Sequence, residues 1–250
     1  MFLRSTLILA AAAALLASPL APARAQGIDP AQRGEIEKII REYLISHPEV
    51  LQEAMVELEK RQQAAEAKKS REAVAQHADK LFKSSRHVTL GNASGDVTLV
   101  EFFDYNCGYC KRALADMMAL MKADPKLKIV LKEFPVLGQG SVEAAQVAVA
   151  VRMQDPDGKK YLDFHQKLLS GRGQADKNRA LAAAKEAGAD MARLEKDMQS
   201  PEVRASLEES FQLAEALGLN GTPSYVVGQD VVVGAVGFEA LKERIDAARQ

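Results

Sequence analysis

Cysteine is nearly missing from this sequence, which has two cysteines in 250 residues and no tryptophan. A chain of this length can bury a substantial core without disulfide cross-links. Basic and acidic residues almost balance, 33 against 34, so no positive excess indicates a nucleic-acid partner. Beyond the first 25 residues the sequence also lacks a long apolar run, which leaves no second candidate for a membrane span.

The first 25 residues differ from the rest in composition. A short positively charged start precedes an apolar run at residues 7–16, and Ala23 and Ala25 stand where a signal peptidase requires small residues. The run is too short for a comfortable membrane span, and prolines interrupt the stretch after it, which disfavours an uncleaved anchor. We predict a secretory signal peptide at residues 1–25, cleaved before Gln26. Export would place the cysteines in an oxidising compartment.

The stretch at residues 26–84 is charged, helix-forming and poor in strand-forming residues. Apolar residues recur at helical spacing on both sides of Pro48, which suits the first turn of a second helix. Residues 61–69 have a high helix propensity but contain few apolar side chains that could be buried. The stretch either packs on the body of the chain or forms an oligomerisation arm with a helical linker, and the polar linker favours the arm. The two apolar rows are Ile36, Ile39, Ile40, Tyr43, Leu44 and Val50, Leu51, Ala54, Met55, Leu58.

Residues 85–250 alternate strand and helix patterns, which is typical of an α/β fold. The near-continuous apolar strand at 97–103 indicates a sheet that is buried on both faces. A βαβ unit is followed by a helical insertion at about 141–217, and an antiparallel hairpin with a last helix completes the sheet. The predicted elements are strands at 86–90, 97–103, 128–136, 224–227 and 231–233, helices at 111–122 and from Phe238, and helices that begin near Ser141, Lys159, Asp176, Asp190 and Pro201.

Cys107 and Cys110 are separated by two residues and stand between the strand and the helix of the βαβ unit. At a helix N-terminus, unpaired backbone N–H groups and the helix dipole favour a thiolate. We therefore expect Cys107 to be a nucleophile, whereas Cys110, deeper on the helix, would resolve a mixed disulfide. A strand, this motif and a helix in succession predict redox chemistry.

Three other uses of the cysteine pair carry less weight. A structural zinc site needs four ligands, and the histidines show no ligand spacing. Two thiolates can hold copper(I), so a copper carrier stays open as an alternative. An inert disulfide over so short a loop would add little stability. We predict neither a resident metal nor a cofactor; the four histidines are His47, His77, His87 and His165.

Glu101 lies six residues before Cys107, inside the apolar strand. An exposed position on an alternating strand is one interpretation, but the apolar neighbours of Glu101 favour burial. A buried carboxylate near two thiols would have a raised pKa and could exchange protons with Cys110.

Other residues near the motif receive smaller roles. Tyr105 and Tyr109 flank the cysteines and are candidates for contact with a substrate. Lys132 alternates outward along its strand, which predicts a solvated side chain. The residues expected to serve packing are His165, Met117, Met118 and Met121.

Two segments together resemble the DsbA-like branch of the thioredoxin superfamily: residues 100–111, VEFFDYNCGYCK, and residues 221–226, GTPSYV. The resemblance covers roughly residues 86–249. It implies a thioredoxin-like α/β fold with a helical insertion, preceded here by the helical N-terminal extension. It also implies thiol–disulfide chemistry at Cys107 and Cys110.

The resemblance assigns roles to three further residues. A proline at the start of a strand is often a simple turn residue, but here the resemblance implies that Pro223 is a cis proline that faces the nucleophile. Thr222, just before it, would offer backbone hydrogen bonds to an extended substrate. Glu101 would be the buried acid.

Residues 39–51 resemble the N-terminal extension of ScsC-type proteins. Some members of that group form trimers through the extension and behave as disulfide isomerases or reductases. The resemblance implies a periplasmic homo-oligomer, most simply a trimer, that acts on disulfide-containing exported proteins. It also implies a membrane reductase of the DsbD or ScsB type as partner and a link to copper tolerance.

Two positions depart from the DsbA oxidase pattern. The oxidase has Pro-His between its cysteines, where this chain has Gly108 and Tyr109, and a neutral tyrosine cannot supply the charge of an imidazolium. Thr222 stands where the oxidase has valine, and Thr-Pro resembles disulfide isomerases. Both departures favour an isomerase or reductase. A monomeric DsbA-type oxidase and a copper(I)-binding protein remain the alternatives.

Overall fold

A computed structural model describes residues 29–249, so the predicted signal peptide lies outside the described residues. The described residues divide into two compact units, the first ending at Glu59 and the second beginning at Lys60. Within residues 29–249, no helix is long and apolar enough to cross a membrane. The elements in chain order are α1 (Pro30–Ser46), α2 (Glu49–Gln76), α3 (Ala78–Phe82), β1 (Val88–Gly91), β2 (Val97–Phe103), α4 (Gly108–Ala123), β3 (Leu127–Glu133), α5 (Gln139–Arg152), α6 (Lys159–Ser170), α7 (Lys177–Glu186), α8 (Met191–Asp197), α9 (Pro201–Ala216), β4 (Ser224–Val227), β5 (Asp230–Val233) and α10 (Phe238–Ala247).

The first unit is helical, as predicted. Asp29 caps α1 by accepting a hydrogen bond from the backbone N–H of Ala31 at 3.0 Å, and the Gln32 side chain completes a capping box. The break between α1 and α2 falls at the predicted Pro48. Within residues 29–59 no side chain is buried. Four members of the predicted apolar row of α1 are between 42% and 64% exposed, namely Ile36, Ile39, Ile40 and Tyr43, and the fifth, Leu44, is partly buried.

The second unit is built on a five-stranded mixed sheet with the order β1-β3-β2-β4-β5. The βαβ unit places β2 and β3 parallel, and the other neighbours are antiparallel. This is the predicted thioredoxin-like arrangement. Because β4 runs against β2, Ser224 at the start of β4 pairs with Phe102 near the end of β2.

Alternation along β2 separates two cores, one on each face of the sheet. Leu99 and Phe103 pack into a core with Met117 and Leu120 of α4. Val100 and Phe102 belong to the opposite core, whose helical side includes Leu213, Ala214 and Leu217. The face that each residue occupies decides which helix it meets, and Glu101 shares the α4 face with Leu99 and Phe103.

The helical insertion comprises α5 to α9, and its helices begin close to the predicted positions. Asp176 and Asp190 act as N-caps, since their carboxylates accept the backbone N–H groups of Arg179 and Arg193 at 2.9 and 3.0 Å. The prediction that β3 continues to Val136 is wrong. The strand ends at Glu133 because the proline that follows Phe134 has no N–H to donate to a ladder.

The prediction that Lys132 is solvated is also wrong. Its side chain has no exposed surface, and Nζ donates to Glu209 Oε1 and to the carbonyl oxygen of Lys80, both at 2.9 Å. Lys132 points to the second face of the sheet, which α9 covers, so the lysine meets a carboxylate there instead of water. His165 and Met117 are buried, and Met118 and Met121 pack against the core, as predicted.

The last part of the extension belongs to the second unit. Val74 of α2 and Leu81 of α3 are buried in the same core as Val100 and Phe102. The apolar residues that follow the polar linker therefore pack against other residues of the second unit. The division of the chain into residues 26–84 and 85–250 stays a prediction.

Candidate active site

Cys107 is the N-cap of α4, which begins three residues earlier than predicted. Both cysteines are free thiols, and the backbone N–H of Cys110 donates to the Sγ atom of Cys107 at 3.4 Å. The first-turn N–H groups of a helix have no intrahelical acceptor, so a sulfur atom at the N-cap can take this place. The helix terminus thus provides a hydrogen-bond donor, and the positive end of its dipole, to a Cys107 thiolate.

The Thr222–Pro223 peptide bond is cis. The carbonyl oxygen of Thr222 accepts a hydrogen bond from the Cys107 thiol at 3.1 Å. The turn before β4 is held by Ser224, whose hydroxyl donates to the Gly221 carbonyl at 2.7 Å, and by the contact between the Gly234 N–H and the Pro223 carbonyl at 2.9 Å. The antiparallel β2–β4 pairing thus brings the two predicted motifs together.

Glu101 is buried, with 4% of its surface exposed, on the face of the sheet that α4 covers. Burial raises the pKa of Glu101 to about 8, and the charge of Asp116 on α4 adds to the effect. Burial also raises the pKa of the Cys110 thiol, and the negative charges of Glu101 and Cys107 raise it further. Glu101 and Cys110 are therefore electrostatically coupled on one side of the sheet.

Asp104 organises the loop between β2 and Cys107, a role that the sequence analysis missed. Its buried carboxylate accepts four hydrogen bonds, from the backbone N–H groups of Asn106, Val136 and Leu137 and from the Ser141 hydroxyl, at 2.7–3.0 Å. These partners come from the loop itself, from the segment after β3 and from α5. The only local signal is an acidic residue directly after an apolar strand, which is too common to identify such a role.

The two tyrosines near the cysteines have different environments. Tyr109 is 59% exposed, and the guanidinium of Arg112 lies 4.4 Å from the centre of its ring. The prediction that Tyr105 contacts a substrate is wrong, because its side chain is buried. The Tyr105 hydroxyl lies 3.2 Å from both the Tyr161 hydroxyl and Nδ1 of His165.

A third buried carboxyl group, which no pattern in the sequence indicates, extends this tyrosine pair. The hydroxyl of Tyr161 donates to Oε1 of Glu133. Burial raises the pKa of Glu133 well above its usual range, whereas burial lowers the pKa of His165 to about 3. At neutral pH, His165 is thus an uncharged hydrogen-bonding partner of Tyr105 and cannot act as a cationic group.

In the part of the chain that the structure describes, no group of three or more His, Cys, Asp or Glu side chains is placed to hold a metal ion. Cys107, Cys110, Thr222, Pro223 and Glu101 converge at the C-terminal end of β2 and the N-terminus of α4.

Two family models match the sequence. The DSBA-like thioredoxin domain matches residues 98–246, and the copper resistance protein ScsC N-terminal domain matches residues 32–65. The first match spans more than half of the chain and includes the cysteine pair and the Thr-Pro segment. The second lies within the helical extension.

Three solved structures are similar in both sequence and fold. A thioredoxin-like oxidoreductase from Silicibacter pomeroyi DSS-3 is 46% identical, with 68% of this chain and 96% of that chain covered and a TM-score of 0.65. Proteus mirabilis ScsC in a transitional conformation is 28% identical, with coverages of 88% and 98% and a TM-score of 0.66. The thiol-disulfide exchange protein alpha-DsbA2 from Wolbachia pipientis is 29% identical, with coverages of 73% and 97% and a TM-score of 0.68.

Among curated relatives, disulfide bond formation protein D of Bacillus subtilis (strain 168) is 27% identical over 172 residues, which cover 63% of this chain and 74% of the relative. This match to a disulfide bond formation protein is consistent with the thiol pair that the structure places at the N-terminus of α4. The chain therefore belongs to the family of DSBA-like thioredoxin domains, and it is a thiol–disulfide oxidoreductase of the DsbA and ScsC type.

Proposed function

We propose that this oxidoreductase is a periplasmic protein disulfide isomerase and reductase that acts on exported proteins. The observation that carries the proposal is the position of Cys107, whose Sγ lies between the N–H of Cys110 and the carbonyl oxygen of Thr222. A sulfur in this position has on one side a donor that favours its thiolate, and on the other side the backbone of Thr222, which we propose that a client contacts.

The first step is attack by the Cys107 thiolate on a client disulfide. A bond forms between Sγ of Cys107 and one client sulfur, the client S–S bond breaks, and the released client thiolate takes up a proton. In isomerisation, another client thiolate then attacks the mixed disulfide. A new client disulfide forms, and Cys107 leaves as the thiolate with no net change in oxidation state.

Reduction requires Cys110 instead. The Cys110 thiol gives up its proton, its sulfur attacks Sγ of Cys107, and the client leaves with both sulfurs reduced while the Cys107–Cys110 disulfide forms. Glu101 is the proposed proton acceptor for this step, in those chains in which its carboxyl group is ionised. A carboxyl group with a pKa of about 8 is matched to proton transfer near neutral pH, and burial keeps the proton exchange local.

Thr222 and Pro223 would hold the client. In the free protein the Cys107 thiol donates to the Thr222 carbonyl. Once Cys107 is a thiolate or part of a mixed disulfide, it has no proton to donate, and this carbonyl can accept from a backbone N–H of an extended client. Pro223 has no N–H that could compete for the Cys107 thiolate.

Two observations favour isomerisation and reduction over oxidation. Tyr109 supplies no positive charge between the cysteines, and a less stabilised thiolate makes the disulfide form less oxidising. Thr222 matches the Thr-Pro pair that the resemblance associates with isomerases. Oxidation in the manner of DsbA is the competing function, and its expected sign is a pair that is mostly oxidised in the cell.

The N-terminal arm, α1 and the part of α2 up to Glu59, would join several copies of the chain. Its exposed apolar row is what a helix needs to pack against a copy of itself, and the ScsC N-terminal match covers residues 32–65. A trimer is the assembly we favour. Several active sites around one client would let one site hold a mixed disulfide while another attacks.

The proposed location follows from the predicted signal peptide at residues 1–25. An isomerase in an oxidising compartment must be kept in the dithiol form by an electron donor, since an accumulating Cys107–Cys110 disulfide stops it. A membrane reductase of the DsbD or ScsB type would supply the two electrons.

The redox state of the pair in growing cells tests this function. Cells that express the full chain are acid-quenched, free thiols are alkylated, and the reduced fraction is measured. We expect a mostly reduced pair that becomes oxidised when the membrane reductase is deleted. A pair that is mostly oxidised in both strains would exclude the reductase and isomerase and support the oxidase.

Copper(I) binding is a second candidate, favoured by the match to a copper resistance protein's N-terminal domain. The two neighbouring thiols are soft ligands that suit copper(I). Anaerobic copper(I) titration of the reduced chain, compared with Cys107→Ser, tests it. Binding that is unchanged in Cys107→Ser would exclude these thiols as the site.

A further inference from the structure

We propose that Asn106 is a positioning residue for thiol–disulfide exchange, because its side chain fastens the peptide that precedes Cys107 to the segment between α6 and α7. The inference rests on the proposed role of Cys107 as the nucleophile. Through Asn106, part of the helical insertion would help to position the active-site cysteine.

The contacts of Asn106 form a reciprocal pair with one peptide group. Its Oδ1 accepts from the N–H of Ala175 at 2.7 Å, and its Nδ2 donates to the carbonyl oxygen of the same residue at 2.9 Å. Nδ2 also donates to the Ser141 hydroxyl at 3.0 Å. Ala175 is buried, so these polar groups would have few other partners if the asparagine were removed.

A second contact joins the other end of the motif to the same segment. Nζ of Lys111, the residue after Cys110, donates to the carbonyl oxygen of Gly171 at 3.2 Å. The residues immediately before and after the cysteine motif are thus both bonded to residues 171–175. The segment 171–175 is called the bracing segment below.

The bracing segment is itself closely packed against α5. A Cβ atom at Gly140, in the first turn of α5, would lie 3.1 Å from the Ala175 carbonyl oxygen and 2.8 Å from Nε2 of Gln174. Glycine permits this close approach. Gly140 thus lets α5 approach the backbone of Ala175, the residue to which Asn106 bonds.

The geometry of Cys107 explains why this attachment matters. Its Sγ accepts from the Cys110 N–H at 3.4 Å, an ordinary distance for sulfur, and the strength of such a bond depends on its angle, so a rotation of the loop before Cys107 would weaken the interaction. A thiolate without this donor is less favoured, and its attack on a disulfide at neutral pH becomes slower. Asn106 keeps the backbone before Cys107 in the position that the contact requires.

Asn92 provides a matched control. It lies in the turn between β1 and β2, at the opposite end of β2 from Cys107, and its side chain also bonds to backbone: Nδ2 donates to the Pro125 carbonyl at 3.1 Å, and Oδ1 accepts from the Ser94 N–H at 3.0 Å. Asn92→Ala therefore removes the same kind of contact without touching the site.

The experiment compares the full chain with Asn106→Ala, Asn92→Ala and Cys107→Ser. Rates of reduction of oxidised glutathione are measured at neutral pH, and the alkylation of Cys107 by iodoacetamide is followed against pH. We expect Asn106→Ala to react roughly three- to tenfold more slowly, and its alkylation profile to move to higher pH. Asn92→Ala should match the wild-type chain in both measurements.

The outcomes distinguish a failure of the positioning role of Asn106 from a failure of the proposed function. If Cys107→Ser retains exchange, the proposed function itself fails. If Cys107→Ser is inactive but Asn106→Ala matches Asn92→Ala in rate and in pH profile, the positioning role is overturned and the proposed function stands. Asn106→Ser, which can keep one of the hydrogen bonds, should be intermediate, and it replaces Asn106→Ala should that variant fail to fold.

Discussion

The Sγ atom of Cys107 lies 3.1 Å from the carbonyl oxygen of Thr222, although 115 residues separate the two in the sequence. The sheet produces this contact, because β4 runs antiparallel to β2 and begins where β2 ends. Under the proposed function, the peptide before Pro223 would receive the backbone of a client. The contact with Thr222 joins the nucleophile Cys107 to the backbone at which we propose that a client binds.

The two thiols should differ in reactivity. Burial and neighbouring negative charge raise the pKa of the Cys110 thiol, whereas Cys107 receives a hydrogen bond at the helix terminus. We expect iodoacetamide at neutral pH to modify one thiol per native chain, with Cys107 as the labelled residue in peptide mass spectrometry. Equal labelling of Cys110 under native conditions would contradict the assignment, and unfolding in denaturant should abolish the difference.

Glu101→Gln should stabilise the fold at neutral and alkaline pH. The pKa of Glu101 is about 8 in the folded chain against 4.5 for an ordinary glutamate, so the folded state retains a proton that the unfolded state releases. The contribution of Glu101 to the stability of the wild-type chain therefore falls as pH rises from 4.5 to 8, by about 1.4 kcal/mol per pH unit.

Glutamine does not titrate, so the advantage of Glu101→Gln should grow over this range and reach about 3 kcal/mol near pH 7. Urea unfolding at several pH values measures it. Glu208→Gln, at an exposed position of α9, is the control and should leave the pH dependence unchanged. A constant difference between Glu101→Gln and the wild-type chain would show that Glu101 has an ordinary pKa.

His165 should contribute to loss of stability in acid. Burial lowers its pKa from 6.5 to about 3, so the folded state holds the neutral ring and unfolding allows it to charge. The contribution is complete above pH 6.5 and is lost as pH falls toward 3, by about 1.4 kcal/mol per unit. His165→Gln should unfold less steeply with falling pH, whereas His47→Gln, in the first unit, should follow the wild-type curve.

The buried pair of Lys132 and Glu209 should be strongly coupled. Lys132→Met leaves the Glu209 carboxylate with the Ser84 hydroxyl and with Arg86, 3.6 Å away, and we expect a loss of about 2–4 kcal/mol in the free energy of unfolding. The double variant Lys132→Met with Glu209→Met should recover most of this loss, because no buried charge remains unpaired.

The ion pair of Lys242 and Asp246 on the surface is the control for these substitutions. Both side chains are about half exposed, and water screens their interaction. Lys242→Met should cost less than about 1 kcal/mol. If Lys132→Met lowers the free energy of unfolding in denaturant by no more than Lys242→Met does, Lys132 and Glu209 are not energetically coupled.

The fold and the thiol pair were predictable because their signals are local. An apolar strand, two cysteines at a helix start and a proline before a second strand can each be recognised within a dozen residues. The burial of Glu101 followed from its apolar neighbours. Helix starts such as Asp176 and Asp190 were predictable because a cap is a property of three or four adjacent residues.

The remaining features depend on partners that are distant in sequence. Asp104 and Asn106 bond to residues of the insertion and of the segment after β3, and no local pattern indicates those contacts. Alternation alone predicts that Lys132 faces solvent, because it does not reveal that α9 covers this face of the sheet with a carboxylate. Tyr105 stands next to the motif in sequence, yet the turn directs its ring into the core.

Refolding of a scrambled-disulfide substrate protein tests the central claim most directly. The chain without its predicted signal, residues 26–250, is compared with Cys107→Ser, with the arm variant Ile39→Gln plus Ile40→Gln, and with Gly34→Gln. Gly34 lies on the opposite side of α1 from the apolar row and has open space around it, so Gly34→Gln is the matched control. The substrate activity that returns and the oligomeric state by light scattering are measured together.

We predict that the unaltered chain and Gly34→Gln form the same oligomer and restore substrate activity. Cys107→Ser should restore none, and the arm variant should be monomeric and lose isomerisation while it still reduces a simple disulfide. A chain that fails to isomerise the scrambled substrate but oxidises a reduced one, with or without the arm substitutions, would contradict the account and establish a DsbA-type oxidase instead.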